Sequence, residues 1–214
     1  MFKSLKSLFT PEPPKPVVPE VLNLTIGRGA EIDPLMLRLR DSASVFSLPS
    51  PTLIFTAQGV CRLQDGQWVH RMYTDDNVML QVVSGQWEGD DAIRDVTLFV
   101  PYLSEHPQNA KAVKSWEERL TRPELTTPKG DTFDRLWFDP AEGPQAPVVL
   151  IEDIYDERTQ TTPPRQIRQT CMLYHRAYGS GDRDLLLAII EDYGDEISVE
   201  MMAGIPLEAH HLKV

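Results

Sequence analysis

The sequence has few cysteines, and their arrangement excludes a small protein held together by several disulfides or by a CxxC metal site. The 214 residues include only two cysteines, Cys61 and Cys171. Neither belongs to a CxxC pair, and no histidine stands near either at metal-ligand spacing. This pattern favours two buried thiols in a reducing compartment, with a single disulfide between them as the alternative. The sequence predicts no metal and no cofactor.

Long hydrophobic runs are also missing. Continuous apolar runs such as residues 185–190 are far shorter than the roughly 18 residues of a transmembrane helix. Residues 1–10 lack the apolar core of a secretory signal, and no small-residue cleavage site follows them. We therefore expect a cytoplasmic protein, with peripheral contact at the inner face of the membrane as the closest approach to a bilayer.

Motifs that mark enzymes are absent as well. Residues 26–30 contain GxG, but neither the third glycine of a dinucleotide site nor the Lys-Ser/Thr pair of a phosphate loop follows. Neither HExxH nor GxSxG occurs, and the adjacent His210 and His211 have no partner at ligand spacing. These absences favour a non-enzymatic protein and leave an enzyme as the alternative.

Basic residues are outnumbered, with 21 Lys and Arg against 32 Asp and Glu and a net charge of −11. An acidic surface repels phosphate backbones, which argues against nucleic-acid binding. Three lysines and one glutamate give residues 1–16 a charge of +2, so the other 198 residues carry −13. The sequence thus predicts a basic arm, compatible with an anionic membrane, on an acidic body.

The arm has an amphipathic pattern and is set apart by proline. Five of the 18 prolines lie between residues 11 and 19, which predicts an extended linker over residues 11–20. Residues 1–10 place apolar side chains on one helical arc and lysines on the other. The residues predicted to bind a membrane or a groove on a partner protein are Phe2, Lys3, Leu5, Lys6, Leu8 and Phe9. A frayed terminus without function is the alternative.

Residues 21–214 are predicted to form one globular body of the α+β class, rich in antiparallel strands. The dipeptide Asp65-Gly66 predicts a tight hairpin between residues 52–63 and 67–74, with positive φ at both turn positions. Helices are predicted over residues 109–120 and, more briefly, 33–40. The other predicted strands cover residues 78–83, 95–102, 147–155, 168–178, 184–191 and 196–203. Residues 185–190 also fit a helix.

A tetrapeptide recurs in the two halves of the chain. His70-Arg71-Met72-Tyr73 ends one predicted strand and His175-Arg176-Ala177-Tyr178 ends another. The strands around each copy follow in a similar order. We therefore predict two related four-stranded meanders, residues 52–102 and 147–206, joined by the helical segment.

Strand alternation suggests an alternative site between these two halves. Each arginine of the repeated tetrapeptide shares a strand face with a tyrosine, and two acidic clusters end apolar strands. Together they could bind a cation, a polyamine or another small ligand, or act as acid and base. The residues assigned to this alternative site are Arg71, Tyr73, Glu152, Asp153, Arg176, Tyr178 and Glu191. A structural role for the arginines and solvation of the carboxylates is the simpler interpretation.

Residues 68–76 with 80–82, 149–155 and 172–176 resemble the YjfK-like family of uncharacterised bacterial proteins, over about residues 20–207. The resemblance implies no established activity and no catalytic residues. It implies a cytoplasmic companion of a membrane-associated, PspA-like coat protein. Together with the basic arm, it leads us to expect a non-enzymatic accessory protein of unassigned oligomeric state, acting with such a coat protein or at the membrane surface.

Overall fold

In the computed structural model, which describes residues 18–178 and 181–214, β-strands predominate. The strands are β1 (Gly29–Ile32), β2 (Thr52–Ile54), β3 (Ala57–Arg62), β4 (Trp68–Tyr73), β5 (Met79–Ser84), β6 (Ile93–Glu105), β7 (Glu124–Thr126), β8 (Thr132–Arg135), β9 (Val148–Tyr155), β10 (Arg165–Tyr178), β11 (Asp182–Asp192), β12 (Ile197–Pro206) and β13 (Leu212–Lys213). The α-helices are α1 (Pro34–Arg38) and α2 (Ala110–Leu120), and two short 3-10 helices cover Pro140–Glu142 and Ala209–His211. No helix of the described segments combines the length and hydropathy needed to cross a bilayer.

Eight of the strands close into an antiparallel barrel. Their order is β11-β12-β6-β5-β4-β3-β9-β10, and β10 pairs back onto β11 along 11 residue pairs. The junction between β3 and β9 is much shorter, with three residue pairs from Gln58↔Tyr155 to Val60↔Asp153. A separate three-stranded sheet has the order β13-β1-β2.

The barrel consists of two four-stranded meanders, β3 to β6 and β9 to β12. They join first strand to first strand, through β3 and β9, and last strand to last strand, through β6 and β12. The segment between them holds α2, β7 and β8. The predicted β-rich α+β fold, with two antiparallel meanders joined by a helical segment, is confirmed. A common origin of the two halves stays a prediction.

Both faces of the barrel sheet are covered over much of its area. All eight strands contribute apolar side chains to the interior, among them Cys61, Phe99, Cys171 and Met202. Outside, the first turns of the described chain and β1 and β2 pack on β4, β5, β6 and β12. Helix α2, β7 and β8 cover β10, β11 and β12. Strands in this position lack a simple alternation of apolar and polar residues.

Helix α2 forms where the sequence predicts it. The Asn109 side chain accepts a hydrogen bond from the backbone N–H of Ala112 at 3.0 Å, which caps the first turn. Trp116 and Leu120 are buried against the barrel. The Tyr174 hydroxyl donates to the Leu120 carbonyl at 3.1 Å and satisfies an acceptor at the helix end.

Two local predictions require correction. Only Gly66 has positive φ in the hairpin turn, at 86°. Its N–H donates to the Leu63 carbonyl at 3.0 Å, and the Leu63 N–H donates to the Gln67 carbonyl at 2.8 Å. The loop is therefore longer than the predicted two-residue turn. In addition, residues 52–63 are divided between β2 and β3, which belong to different sheets.

Candidate functional site

One end of the barrel opens into a cavity of about 630 Å³. This volume is in the usual range for small-molecule sites. We call this cavity the mouth; the strands reach it through the ends that carry Ala57, Tyr73, Ile154 and Glu191. Its lining residues are Thr56, Ala57, Tyr73, Thr74, Asp75, Asn77, Met79, Pro101, Ser104, Ile154, Arg165, Ile167, Ile189, Glu191, Tyr193, Glu200 and Met202.

A buried ion pair lies beneath the mouth. The Arg71 Nη1 is 3.0 Å from Glu152 Oε2, and the two side chains are 1% and 0% exposed. Arg71 Nη1 also donates to Gln169 Oε1 at 2.6 Å, and its Nε donates to Gln81 Oε1 at 3.0 Å. Burial lowers the pKa of Arg71, but Glu152, Tyr73 and the two nearby thiols together outweigh this effect and hold that pKa well above its usual value. The Arg71 guanidinium is therefore charged, and the neighbouring Glu152 carboxylate neutralises that charge.

Glu152 accepts from two further donors. The Tyr73 hydroxyl lies 2.7 Å from Oε1, and the Gln169 amide nitrogen lies 2.7 Å from Oε2. Burial and the neighbouring carboxylate raise the pKa of Tyr73, so its hydroxyl stays protonated and donates. A Cβ on Gly59 would be 1.7 Å from Glu152 Oε1. A side chain at position 59 would thus displace the carboxylate.

Glu191 connects this network to the open cavity. The Gln169 amide donates to its Oε1 at 3.0 Å, and the Tyr193 hydroxyl donates to its Oε2 at 2.6 Å. Burial raises the pKa of Glu191, and the charges of Glu152 and Glu200 raise it further. No Lys, Arg or His of the described chain forms an ion pair with Glu191. It is a carboxylate held by neutral donors.

The structure brings together four of the seven residues assigned to the alternative site, namely Arg71, Tyr73, Glu152 and Glu191. Asp153 lies on the outer face of β9, where it accepts from the Gln166 amide at 2.8 Å. Neighbouring strand residues point to opposite faces, so the inward position of Glu152 turns Asp153 outward.

Arg176 and Tyr178 belong to a second cluster on the outside of the barrel. Its centre is Asp184, fully buried, which accepts from the Tyr178 hydroxyl at 2.8 Å and from Arg40 Nη2 at 2.9 Å. Arg176 Nη1 donates to Asp131 Oδ1 at 2.7 Å. These bonds fasten the segment after α1 to the barrel and do not reach the mouth.

Sequence reasoning missed Gln81, Gln169, Tyr193 and Gly59 at this site. The signal was present in β10, where Gln169 alternates with apolar Ile167 and Cys171 on the inward face. A glutamine at a position of that kind needs polar partners inside the barrel.

Three other predictions concern a metal site, the N-terminal segment and the two cysteines. Within residues 18–178 and 181–214, no group of three or more His, Cys, Asp or Glu side chains is arranged to hold a metal ion. The six residues of the predicted membrane or partner segment, Phe2 to Phe9, lie outside the described residues. Cys61 and Cys171 are both buried free thiols.

A family model described as "Protein of unknown function (DUF2491)" matches residues 1–213. This match includes the N-terminal segment as well as the barrel. No curated protein and no solved structure matches the chain.

Proposed function

The chain belongs to the DUF2491 family, whose function is unknown, and we propose that it binds a small organic ligand in the mouth of its barrel. The observation that carries this proposal is a cavity of about 630 Å³ that opens above a network of buried, hydrogen-bonded side chains. An eight-stranded barrel can be filled by its own side chains or can hold one small ligand. Here the apolar core fills one end and the other end is open.

The polar network supports a binding role over a purely structural one. A buried ion pair such as Arg71 with Glu152 is weak support for stability, because desolvation offsets most of the attraction. Apolar side chains of similar size would hold the barrel at least as well. The network instead fixes the position of Glu191 at the surface of the cavity.

The chemistry of the mouth favours binding over catalysis. None of the described residues that line it is a histidine, cysteine or lysine. Burial raises the pKa of Cys61 to about 12 and that of Cys171 to about 11, so both remain neutral thiols. The described lining therefore offers no thiolate, imidazole or amine as a nucleophile, and the enzyme hypothesis would rest on carboxylates and hydroxyls alone.

The proposal can be tested by filling the mouth. Ala57 lines the cavity, so Ala57→Trp should occupy it. Val149→Trp adds the same side chain on the outer face, where Val149 is 49% exposed, and serves as the matched control. A panel of cationic, neutral and anionic small molecules is screened by thermal shift and ligand-observed NMR on the full chain.

We expect a compound that raises the Tm of the wild type and of Val149→Trp but not of Ala57→Trp. Equal responses from all three proteins would contradict the proposal, and so would the absence of any binder. Circular dichroism and the Tm of the unliganded variants show whether Ala57→Trp retains the fold.

We also propose, from the sequence and its YjfK-like resemblance, that residues 1–10 recruit the protein to an anionic membrane or to a PspA-like coat protein. The charge of +2 over residues 1–16 against −13 over the rest supports this. The full chain and a Leu5→Asp/Leu8→Asp variant are sedimented with anionic liposomes. Equal pelleting of the two would contradict the lipid version, and a pull-down with the coat protein tests the other.

A further inference from the structure

The charged residues of the mouth are mostly acidic. Among the described lining residues are three carboxylates, those of Asp75, Glu191 and Glu200, and one guanidinium, that of Arg165. Arg165 Nη2 is 3.4 Å from Asp156 Oδ1, so part of its charge is already balanced at the rim. An anionic ligand would enter against this field, and a cation would be drawn in.

The Glu191 carboxylate lines the mouth and accepts hydrogen bonds from neutral donors, with no cationic partner among the described residues. Its two oxygens accept from Gln169 and Tyr193, which are both neutral. The positive charge of Arg71 is already matched by Glu152 at 3.0 Å. A half-buried carboxylate with no counter-charge is costly, and an ammonium group from outside would supply that charge.

The remaining walls suit an aliphatic body. Ile154, Ile167, Ile189 and Met202 give the cavity apolar sides. Tyr73 and Tyr193 also line the cavity, and aromatic rings attract ammonium groups. A hydrated metal ion would gain nothing from these walls, whereas methylene groups would.

Glu200 provides a second carboxylate, which can bind a second ammonium group. Glu200 lines the mouth and accepts from the Ser104 hydroxyl at 2.7 Å. Glu191 and Glu200 lie on neighbouring strands, where Glu200 pairs with Ile189 and Glu191 pairs with Ser198, so a linear diamine or polyamine can place one ammonium at each.

We propose that the ligand is a linear aliphatic di- or polyamine, with one ammonium bound by Glu191 and the methylene chain against the isoleucine wall. This inference rests on the proposed function, that the mouth is a ligand site, and narrows it to one chemical class.

The experiment compares three four-carbon probes by isothermal titration calorimetry on the full chain. They are butane-1,4-diamine, butane-1,4-diol and succinate, which share a length and differ in charge. Glu191→Gln keeps the shape of the side chain and removes its charge. Glu31→Gln makes the same change at an exposed position in β1, where Glu31 lies 3.9 Å from Lys213 Nζ, and is the control.

We expect the diamine to bind and the diol and succinate not to bind. Glu191→Gln should weaken diamine binding about 30-fold or more, because it removes one partner of a desolvated charge pair. Glu31→Gln should bind as the wild type does. Added salt should weaken binding in the wild type more than in Glu191→Gln.

The other outcomes overturn either the amine as the ligand or the mouth as a ligand site. Diamine binding that survives both Glu191→Gln and Ala57→Trp is non-specific attraction to an acidic surface and refutes the inference. Binding of succinate or the diol that Ala57→Trp abolishes refutes the amine and leaves the mouth as a ligand site. If no probe binds the wild type, the inference fails, and the broader panel decides the proposed function.

Discussion

The ion pair beneath the mouth can be broken in a way that separates its charge from its packing. Arg71→Met leaves Glu152, which is 0% exposed, with only the neutral donors Tyr73 and Gln169. Glu152→Gln leaves the Arg71 charge facing neutral acceptors. The double variant Arg71→Met/Glu152→Gln carries no charge at this position, so it tests what the pair contributes as a pair.

The magnitudes follow from the burial of the two groups. Removing one partner of a fully buried pair costs about 3–5 kcal/mol, because the other charge stays buried without compensation. Removing both charges costs only the lost hydrogen bonds, each about 1 kcal/mol. Arg71 makes three such bonds, so the double variant should lose about 3 kcal/mol, well below the sum of the two single losses. The coupling free energy between positions 71 and 152 should be about 3 kcal/mol or more in favour of the pair.

Urea unfolding of the four proteins, followed by tryptophan fluorescence and circular dichroism, measures this coupling. A slope of about 3 kcal/mol per molar urea converts the loss in each single variant into a midpoint shift of about 1 M or more. Additive losses, or a loss below about 1 kcal/mol for Arg71→Met, would refute the view that the two charges neutralise each other inside the barrel.

Three further predictions concern the same interior. Gly59→Ala should lower the free energy of unfolding by about 2 kcal/mol or more, because its Cβ would be 1.7 Å from Glu152 Oε1; unfolding in urea measures this, and a neutral result would contradict the close approach. Cys61 and Cys171 should resist a thiol reagent at pH 8 in the folded protein and react on unfolding, since burial raises both pKa values; fast reaction without denaturant would be inconsistent with their place in the core. Glu191→Gln should be more stable than the wild type at pH 8 and equal to it at pH 4, because a pKa raised by folding makes stability fall as pH rises through that value; a lower stability at pH 8 would contradict this sign.

The strands were predictable because their boundaries carry local signals, while the closure of the barrel was not. Turn residues and apolar runs locate β4, β5, β9 and β12 to within a few residues. The contacts that close the barrel join β3 to β9 and β6 to β12, and the paired residues are 93 to 109 positions apart along the chain. No local pattern encodes such pairings. Strands β1, β7, β8 and β13 have two to four residues each, too few to show a period.

The candidate site, like the fold, was predictable only where a local pattern determines the arrangement. Alternation along a strand groups Arg71 with Tyr73 as predicted, but it places Glu152 and Asp153, both assigned to the alternative site, on opposite faces. It does not tell which face of a strand becomes the interior, because that depends on how the sheet curves and on what covers its outer face. Strand β4 is buried on both faces, and its pattern therefore gives no preference.

The repeated tetrapeptide illustrates how much one residue of offset matters. Arg71 points into the barrel and pairs with Glu152, whereas Arg176 points outward and pairs with Asp131. A shift of one residue along a strand moves every side chain to the opposite face. The two copies therefore occupy non-equivalent positions even though each lies on the second strand of its meander. In the described part of the chain the polar network consequently exists once, built from Arg71 and Tyr73 of the first meander and Glu152 and Glu191 of the second, and it lies beneath the acidic mouth.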